Sequence, residues 1–161
     1  GMAICFNEND VRCMGRDAAG VRGISLNEDD YVVGAEKMEE GKTLLTVTEN
    51  GYGKRTALPE YLRTGPDGEK IPQSRGGKGL KNYNITPKTG NIAGCRVVGD
   101  NDDVMIIENG GVIIRVPAAS INVYKRDVQG VIVMRVDDGN KVVSLERVEQ
   151  DEELEAQETQ E

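Results

Sequence analysis

Apolar positions along this chain fall in short β-branched runs separated by Gly- and Asn-rich turns, and the runs come in a repeating order. The clearest unit lies near the end. Val104 to Ile107 is an apolar run, Glu108-Asn109-Gly110-Gly111 is a hairpin signature, and Val112 to Val116 reads as the return strand, ended by Pro117. Ile121-Asn122-Val123 is a short apolar link. The turn Arg126-Asp127-Val128-Gln129-Gly130 follows, then a third strand from Val131 to Val136, a second hairpin turn at Asp137 to Asn140, and a fourth strand from Lys141 to Val148. Runs of this length and composition predict strands, since β-branched side chains pack well on a pleated surface.

The same order occurs upstream. Leu44 to Thr48, the turn Glu49-Asn50-Gly51, and Gly53 to Ala57 match the first hairpin. Tyr61 stands where Ile121 stands, and an insertion, Gly65 to Pro72, swells the loop before Arg75-Gly76-Gly77-Lys78-Gly79. Leu80 to Ile85, a turn at Pro87 to Asn91 and Ile92 to Val98 complete the unit. A third copy begins late: Ile4-Cys5-Phe6 matches the end of a return strand, Val11 matches Ile121, and Arg16-Asp17-Ala18-Ala19-Gly20 is its turn. An Arg followed four residues later by Gly therefore recurs three times, and a recurring unit of about 50 residues with four strands predicts propeller blades. The expectation is an all-β, β-pinwheel-like (propeller-like) partial array of about two and a half repeats: a partial blade over 1–38, complete blades over 39–98 and 99–148, and a disordered acidic tail over 149–161. Such an open array reads as a piece of a larger domain, its ends covered by neighbours, by dimerisation or by strand swapping in a crystal.

Composition narrows the chemistry. With no His and no Trp in 161 residues, His-dependent bases, nucleophilic dyads and most zinc sites are excluded. The cysteines Cys5, Cys13 and Cys95 show no CxxC pairing and read as reduced thiols of a cytoplasmic protein. No apolar run approaches a membrane helix and no signal peptide is visible. Gly1 before Met2 reads as the scar of a removed tag.

The net charge of −8 argues against a nucleic-acid binder until it is mapped. Seven of the 28 acids lie in 149–161, which holds no base, so the body is almost neutral. Within the body, 54–88 carries eight bases and three acids. Around its turn, Gln73 to Gly79 offers Arg75 and Lys78 for phosphate and Gly76-Gly77 as a nest of N–H groups; a flexible basic turn is the competing reading. Arg63 and Lys81 flank it. Lys54 and Arg55 are adjacent on a return strand and point to opposite faces, so that one packs its stem while the other reaches out; Arg115 repeats the Arg55 position. Arg16 and Arg126 are each followed by Asp, and both a DNA contact and a turn-holding role stand open for them. Arg12, Arg22 and Lys125 extend the rim. Tyr52, Tyr61 and Tyr83 read more readily as packing than as base-stacking platforms.

Thr48-Glu49-Asn50-Gly51-Tyr52-Gly53-Lys54-Arg55-Thr56, with Glu60-Tyr61, Ser74-Arg75, Lys78-Gly79, Arg12 to Arg16, Gly20 to Ile24 and Gln129 to Val131, resembles the C-terminal domain of the DNA gyrase A family over about residues 3–148. The resemblance is to the last blades and the acidic tail. It implies a β-pinwheel with strands exchanged between neighbouring blades and a basic rim around which double-stranded DNA wraps. Gln73 to Gly79 is similar to that family's box, with Ser74 where the box has Arg, but sits in a later blade than the box. Catalysis, ATP and Mg would belong to the parent type IIA topoisomerase, in which the partners are gyrase B and the rest of gyrase A. No catalytic residue or cofactor is expected in this stretch. The rival expectations are a topoisomerase IV-type C-terminal domain and a propeller-like protein-interaction module.

Overall fold

The computed structural model describes residues 1–148; the acidic tail lies outside them. The strands, in chain order, are β1 (Met2–Ala3), β2 (Thr43–Thr48), β3 (Tyr52–Ala57), β4 (Arg63–Thr64), β5 (Lys70–Ile71), β6 (Leu80–Lys81), β7 (Ile92–Val98), β8 (Asp103–Glu108), β9 (Ile113–Pro117), β10 (Val131–Ile132) and β11 (Val142–Val148). All the pairings between them are antiparallel. The first hairpin of each of the two later repeats is present, with β2–β3 turning at Gly51 and β8–β9 at Gly111, both at positive φ.

The third strand of each of the two later repeats does not join its own blade. The middle sheet has the order β10-β3-β2-β7, so its outer strand comes from the following repeat, with Val131 opposite Gly53 and Ile132 opposite Tyr52. In the same way β6 of the middle repeat pairs with β1 of the leading one, Leu80 opposite Ala3 and Lys81 opposite Met2. The last sheet, β11-β8-β9, has three strands and receives no donor among the described residues. The long third strands expected over 80–85 and 131–136 shrink to two paired residues each. Past Ile132 the chain leaves the ladder: the N–H groups of Val133 and Met134 both turn onto the Gly51 carbonyl, and Met134 is buried.

The apolar core lies between the two larger sheets. Leu45 and Val47 of β2, Val98 of β7, Val104 and Ile106 of β8, and Val142 and Leu145 of β11 form one cluster with Ala118, Ile121 and Met134. β7 and β11 lie face to face, and Gly94 is the reason they approach so closely: a Cβ there would stand 2.5 Å from Leu145 Cδ2. The leading repeat adds little to this cluster. Residues 31–33 are exposed, and Glu36 reaches β7, where it pairs with Arg96 at 3.4 Å.

Candidate nucleic-acid interface

The recurring Arg…Gly turn is the joint between repeats. Arg75 donates from Nη1 to the Arg22 carbonyl at 2.5 Å, and from Nε to the Asp10 carbonyl at 3.0 Å. Arg126 makes the matching bond, Nη1 to the Lys81 carbonyl at 2.8 Å. In each case the acceptor is the carbonyl two residues after the preceding repeat's turn glycine. Those glycines are needed twice over. Gly79 and Gly130 both have φ +76, and a Cβ on Gly79 would run into the Ala3 carbonyl oxygen, as one on Gly130 would stand 2.5 Å from that of Gly53. Gly20 shares the positive φ but has open space around it, and Arg16 is exposed with no hydrogen bond or ion pair among the described residues. The turn is thus an anchor wherever a preceding repeat is present to receive it.

Arg75 accordingly spends two of its donors on backbone, and the nest expected at Gly76-Gly77 is already partly used: the Gly76 N–H donates to the Gly23 carbonyl at 2.7 Å, while Ser25 Oγ donates to the Gly76 carbonyl at 2.7 Å. What the turn presents outward is Lys78, which is exposed and makes no hydrogen bond or ion pair among the described residues, and Lys81, which is exposed and reaches only Asn84 Oδ1 at 3.2 Å. Arg63 is exposed on β4, with Nε on the Pro72 carbonyl at 3.2 Å.

The expectation for Lys54 and Arg55 is corrected. Neither reaches out. Lys54 has no exposed surface; its ammonium donates to the Lys125 carbonyl at 2.7 Å and to the Arg126 carbonyl, and lies 5.2 Å from the centre of the Tyr83 ring. Burial pulls its pKa down from 10.5 to about 8. Arg55 is 6% exposed, with Nε on the Ile121 carbonyl at 2.7 Å and Nη1 on Asp100 at 2.6 Å. The physical reason is the same for both. Residues 121–126 of the following repeat run over β3, with Arg55 and Val123 bridged in parallel, and their outward carbonyls need donors. Arg115, at the matching place on β9, has no such cover among the described residues; its side chain is 56% exposed and pairs with Asp103 at 2.6 Å.

Two further cations of the same region, not among the residues chosen from sequence, are exposed beside them. Lys70 on β5 faces solvent and bonds Thr64 Oγ1 at 3.1 Å; Lys88 lies 5.6 Å from the centre of the Tyr52 ring. The charge count over 54–88 includes both, and only their exposure separates them from Lys54 and Arg55. Tyr61 and Tyr83 are buried, and burial raises the pKa of both phenols. Among the described residues no group of carboxylates and thiols is placed to hold a metal ion, and no helix is long and apolar enough to cross a membrane.

Comparison with known proteins fits this geometry. The chain is 43% identical over 151 residues to the DNA gyrase A protein of Staphylococcus epidermidis and 40% identical over 159 residues to that of Salmonella typhimurium, covering 92% and 97% of this chain but only 16% and 17% of the relatives. A solved gyrase A C-terminal domain superposes with a TM-score of 0.80 at 28% identity, covering 91% of this chain and 47% of that one. The C-terminal domain of a DNA topoisomerase IV superposes with a TM-score of 0.80 at 26% identity, covering 92% of this chain and 44% of the other. The family described as DNA gyrase C-terminal domain, beta-propeller, matches residues 1–37, 42–71, 69–99 and 102–149, and the chain belongs to that family.

Proposed function

We propose that this chain binds duplex DNA without sequence preference along its outer rim and wraps it as part of gyrase A, in support of ATP-dependent negative supercoiling by a parent type II topoisomerase. The observation that carries the reading is the group of exposed cations at the middle joint, Lys78 and Lys81 with Arg63, in a chain of this family. Wrapping needs many phosphate contacts and little base reading. Bending 20–30 bp costs on the order of 1–6 kcal/mol, so contacts must be spread over several blades, and a short arc of blades should hold DNA weakly. The half-buried, backbone-bound arginines of the joints keep successive rims at a fixed spacing, which a wrapped duplex requires. Gyrase B and the rest of gyrase A are the protein partners of this reading, the reaction's ATP and Mg being held elsewhere in the parent, and a bacterial cytoplasm is its location. The relatives at 40–43% identity favour gyrase over topoisomerase IV.

The test is a gel-shift series of the chain on long duplex DNA across salt concentrations. A dissociation constant of about 10⁻⁴ to 10⁻⁶ M at physiological salt is expected, with binding tightening as salt is lowered. Lys78→Ala with Lys81→Ala should reduce the slope of log affinity against log salt by about 2, since each phosphate contact contributes about 0.9. Affinity that ignores salt would overturn the reading.

A further inference from the structure

The middle repeat carries something the other two lack. From Tyr61 to Arg75 the chain takes nine residues more than from Ile121 to Arg126 or from Val11 to Arg16. The excess, 63–71, forms the two-stranded ribbon β4–β5, with Arg63 opposite Ile71 and Thr64 opposite Lys70. It contributes nothing to the core: no residue from 63 to 71 is buried. It is nevertheless well ordered by its own bonds. Gly65 N–H donates to the Glu69 carbonyl at 2.8 Å, Asp67 N–H to the Glu69 carboxylate at 3.1 Å, and Lys70 Nζ to Thr64 Oγ1. Its base is tied to the middle joint, with Gln73 N–H on the Cys5 carbonyl at 2.7 Å and Gln73 Nε2 on the Tyr61 carbonyl at 2.9 Å.

The placement of charge on this ribbon is specific. Directly opposed residues share a face and neighbours alternate. Lys70 therefore lies on the Thr64 face and Arg63 on the other, with Ile71. A basic surface patch would put its cations on one side. A ribbon with one cation on each face matches a ligand that has negative charge on both sides of it, and a duplex groove, walled by two phosphate backbones, is such a ligand. The major groove, about 12 Å wide and 8.5 Å deep, admits a two-stranded ribbon. Two paired residues plus the turn reach about 10 Å at roughly 3.3 Å per residue. The acids sit where this docking would have them: Asp67 is at the tip, which would face base edges with their amino donors rather than phosphate, and Glu69 folds back onto Gly65 and the Asp67 N–H.

We propose that the ribbon 63–71 enters the major groove of the duplex lying on the rim, Arg63 contacting the phosphates of one strand and Lys70 those of the other. This rests on the duplex-DNA reading above and adds to it a groove contact made by one repeat only. The ribbon would act as a peg that fixes the path of the wrapped duplex relative to the joint, with no need to read sequence.

The experiment uses a charge-neutral deletion. Removing 63–71 takes away Arg63, Lys70, Asp67 and Glu69 together, and joins Leu62 to Pro72, the residues flanking the opposed pair Arg63 and Ile71. Binding is read on ordinary duplex DNA and on duplex DNA carrying glucosylated 5-hydroxymethylcytosine, whose sugars fill the major groove. The intact chain should bind the glucosylated duplex more weakly than the ordinary one; the deleted chain should bind both alike, with a salt slope lower by about 2 than the intact chain. Arg63→Ala with Lys70→Ala should lower the slope equally, and decides the matter if the deletion does not fold. Unchanged slope and equal loss on glucosylated DNA for both chains would overturn the proposal. A lower slope with indifference to glucosylation in the intact chain would overturn groove entry, leaving phosphate contact from outside. An intact chain that binds neither duplex would overturn the DNA reading itself, and this inference with it.

Discussion

The middle and last sheets are built from the same pattern, and they differ at position after position along the return strand. On β3 the four central residues, Gly53 to Thr56, are buried; on β9 Ile113, Arg115 and Pro117 are exposed. Lys54 is buried and Ile114 at its place is only half-buried. Arg55 holds the Ile121 carbonyl under cover, while Arg115 is exposed and pairs with a buried Asp103. Gly51 is pressed by the Met134 carbonyl oxygen, where Gly111 has open space. In every case the difference is made by the following repeat, which lays 121–126, β10 and Val133–Met134 over the middle blade. A blade here is complete only when the next repeat has been added, so stability and rim geometry belong to the joints between repeats rather than to any one of them.

The sharpest way to break this comparison is at its matched glycines. Gly51 has φ +80 and Gly111 φ +94, so alanine is strained at both, at about 1–3 kcal/mol each. At Gly51 the new methyl must also displace the Met134 carbonyl, which adds an overpacking cost of roughly 1–3 kcal/mol. Gly51→Ala should therefore lose about 2 kcal/mol more than Gly111→Ala in urea unfolding. Equal losses would mean that the following repeat does not hold the middle blade.

That dependence on the next repeat marks the limit of what the pattern of residues discloses. The hairpins at Gly51 and Gly111, their strand limits and the repeat itself are legible because turn chemistry and β-branched runs are local. The destination of the third strand is not. Val131 to Val136 has the composition of a full strand, yet only Val131 and Ile132 pair, and which blade they pair with is decided by tertiary packing. The site is harder. Charge marks the stretch 54–88 as the basic one, but the strand alternation read for Lys54 and Arg55 leaves one of them reaching out, and only the carbonyls of Ile121, Lys125 and Arg126 explain the burial of both. Arg75 is misleading for the same reason: its bond to the Arg22 carbonyl is a joint contact that no spacing reveals. The nine-residue excess before Arg75 is visible in sequence, although its ribbon geometry is not.

The matched arginines give a smaller contrast. Arg55→Ala removes a buried stem and leaves the Ile121 carbonyl without its donor, a loss of about 2–3 kcal/mol. The ion pair with Asp100 adds little to that, because Asp100 is 80% exposed. Arg115→Ala removes a side chain that is 56% exposed from a buried Asp103 that has a further partner, and should cost about 1 kcal/mol, less than Arg55→Ala. Thermal melts of the two variants check this. If Arg115 proved the costlier of the two, cover by the following repeat would not be what makes Arg55 structural.

The smallest effect expected is a pH dependence that only the middle blade can show, since the last blade has Ile114 where the middle has Lys54. The folded pKa of Lys54 is about 8 against an ordinary 10.5, because burial opposes its charge. Between those values the unfolded chain holds the proton and the folded chain releases it, so stability rises with pH across this window. Burial raises the thiols of Cys5 and Cys95 above their ordinary 9.0 and the phenols of Tyr61 and Tyr83 above 10.0. Those groups hold protons in the folded state that the unfolded chain loses, so the thiols begin to oppose the gain from about pH 8 and the phenols from about pH 9. Between about pH 8 and 9 Lys54 contributes a gain of about 1 kcal/mol, and comparison with a variant lacking the ammonium separates it from the opposing thiols and from the Gly1 amino group, whose pKa burial lowers from 8.0. Lys54→Met should remove the Lys54 contribution while keeping the stem packed over Tyr83. Urea unfolding of both chains at the two ends of that interval measures the difference. A change with pH that is the same in the intact chain and in Lys54→Met would mean that the ammonium keeps its proton at the joint, held by the Lys125 and Arg126 carbonyls more tightly than burial opposes it.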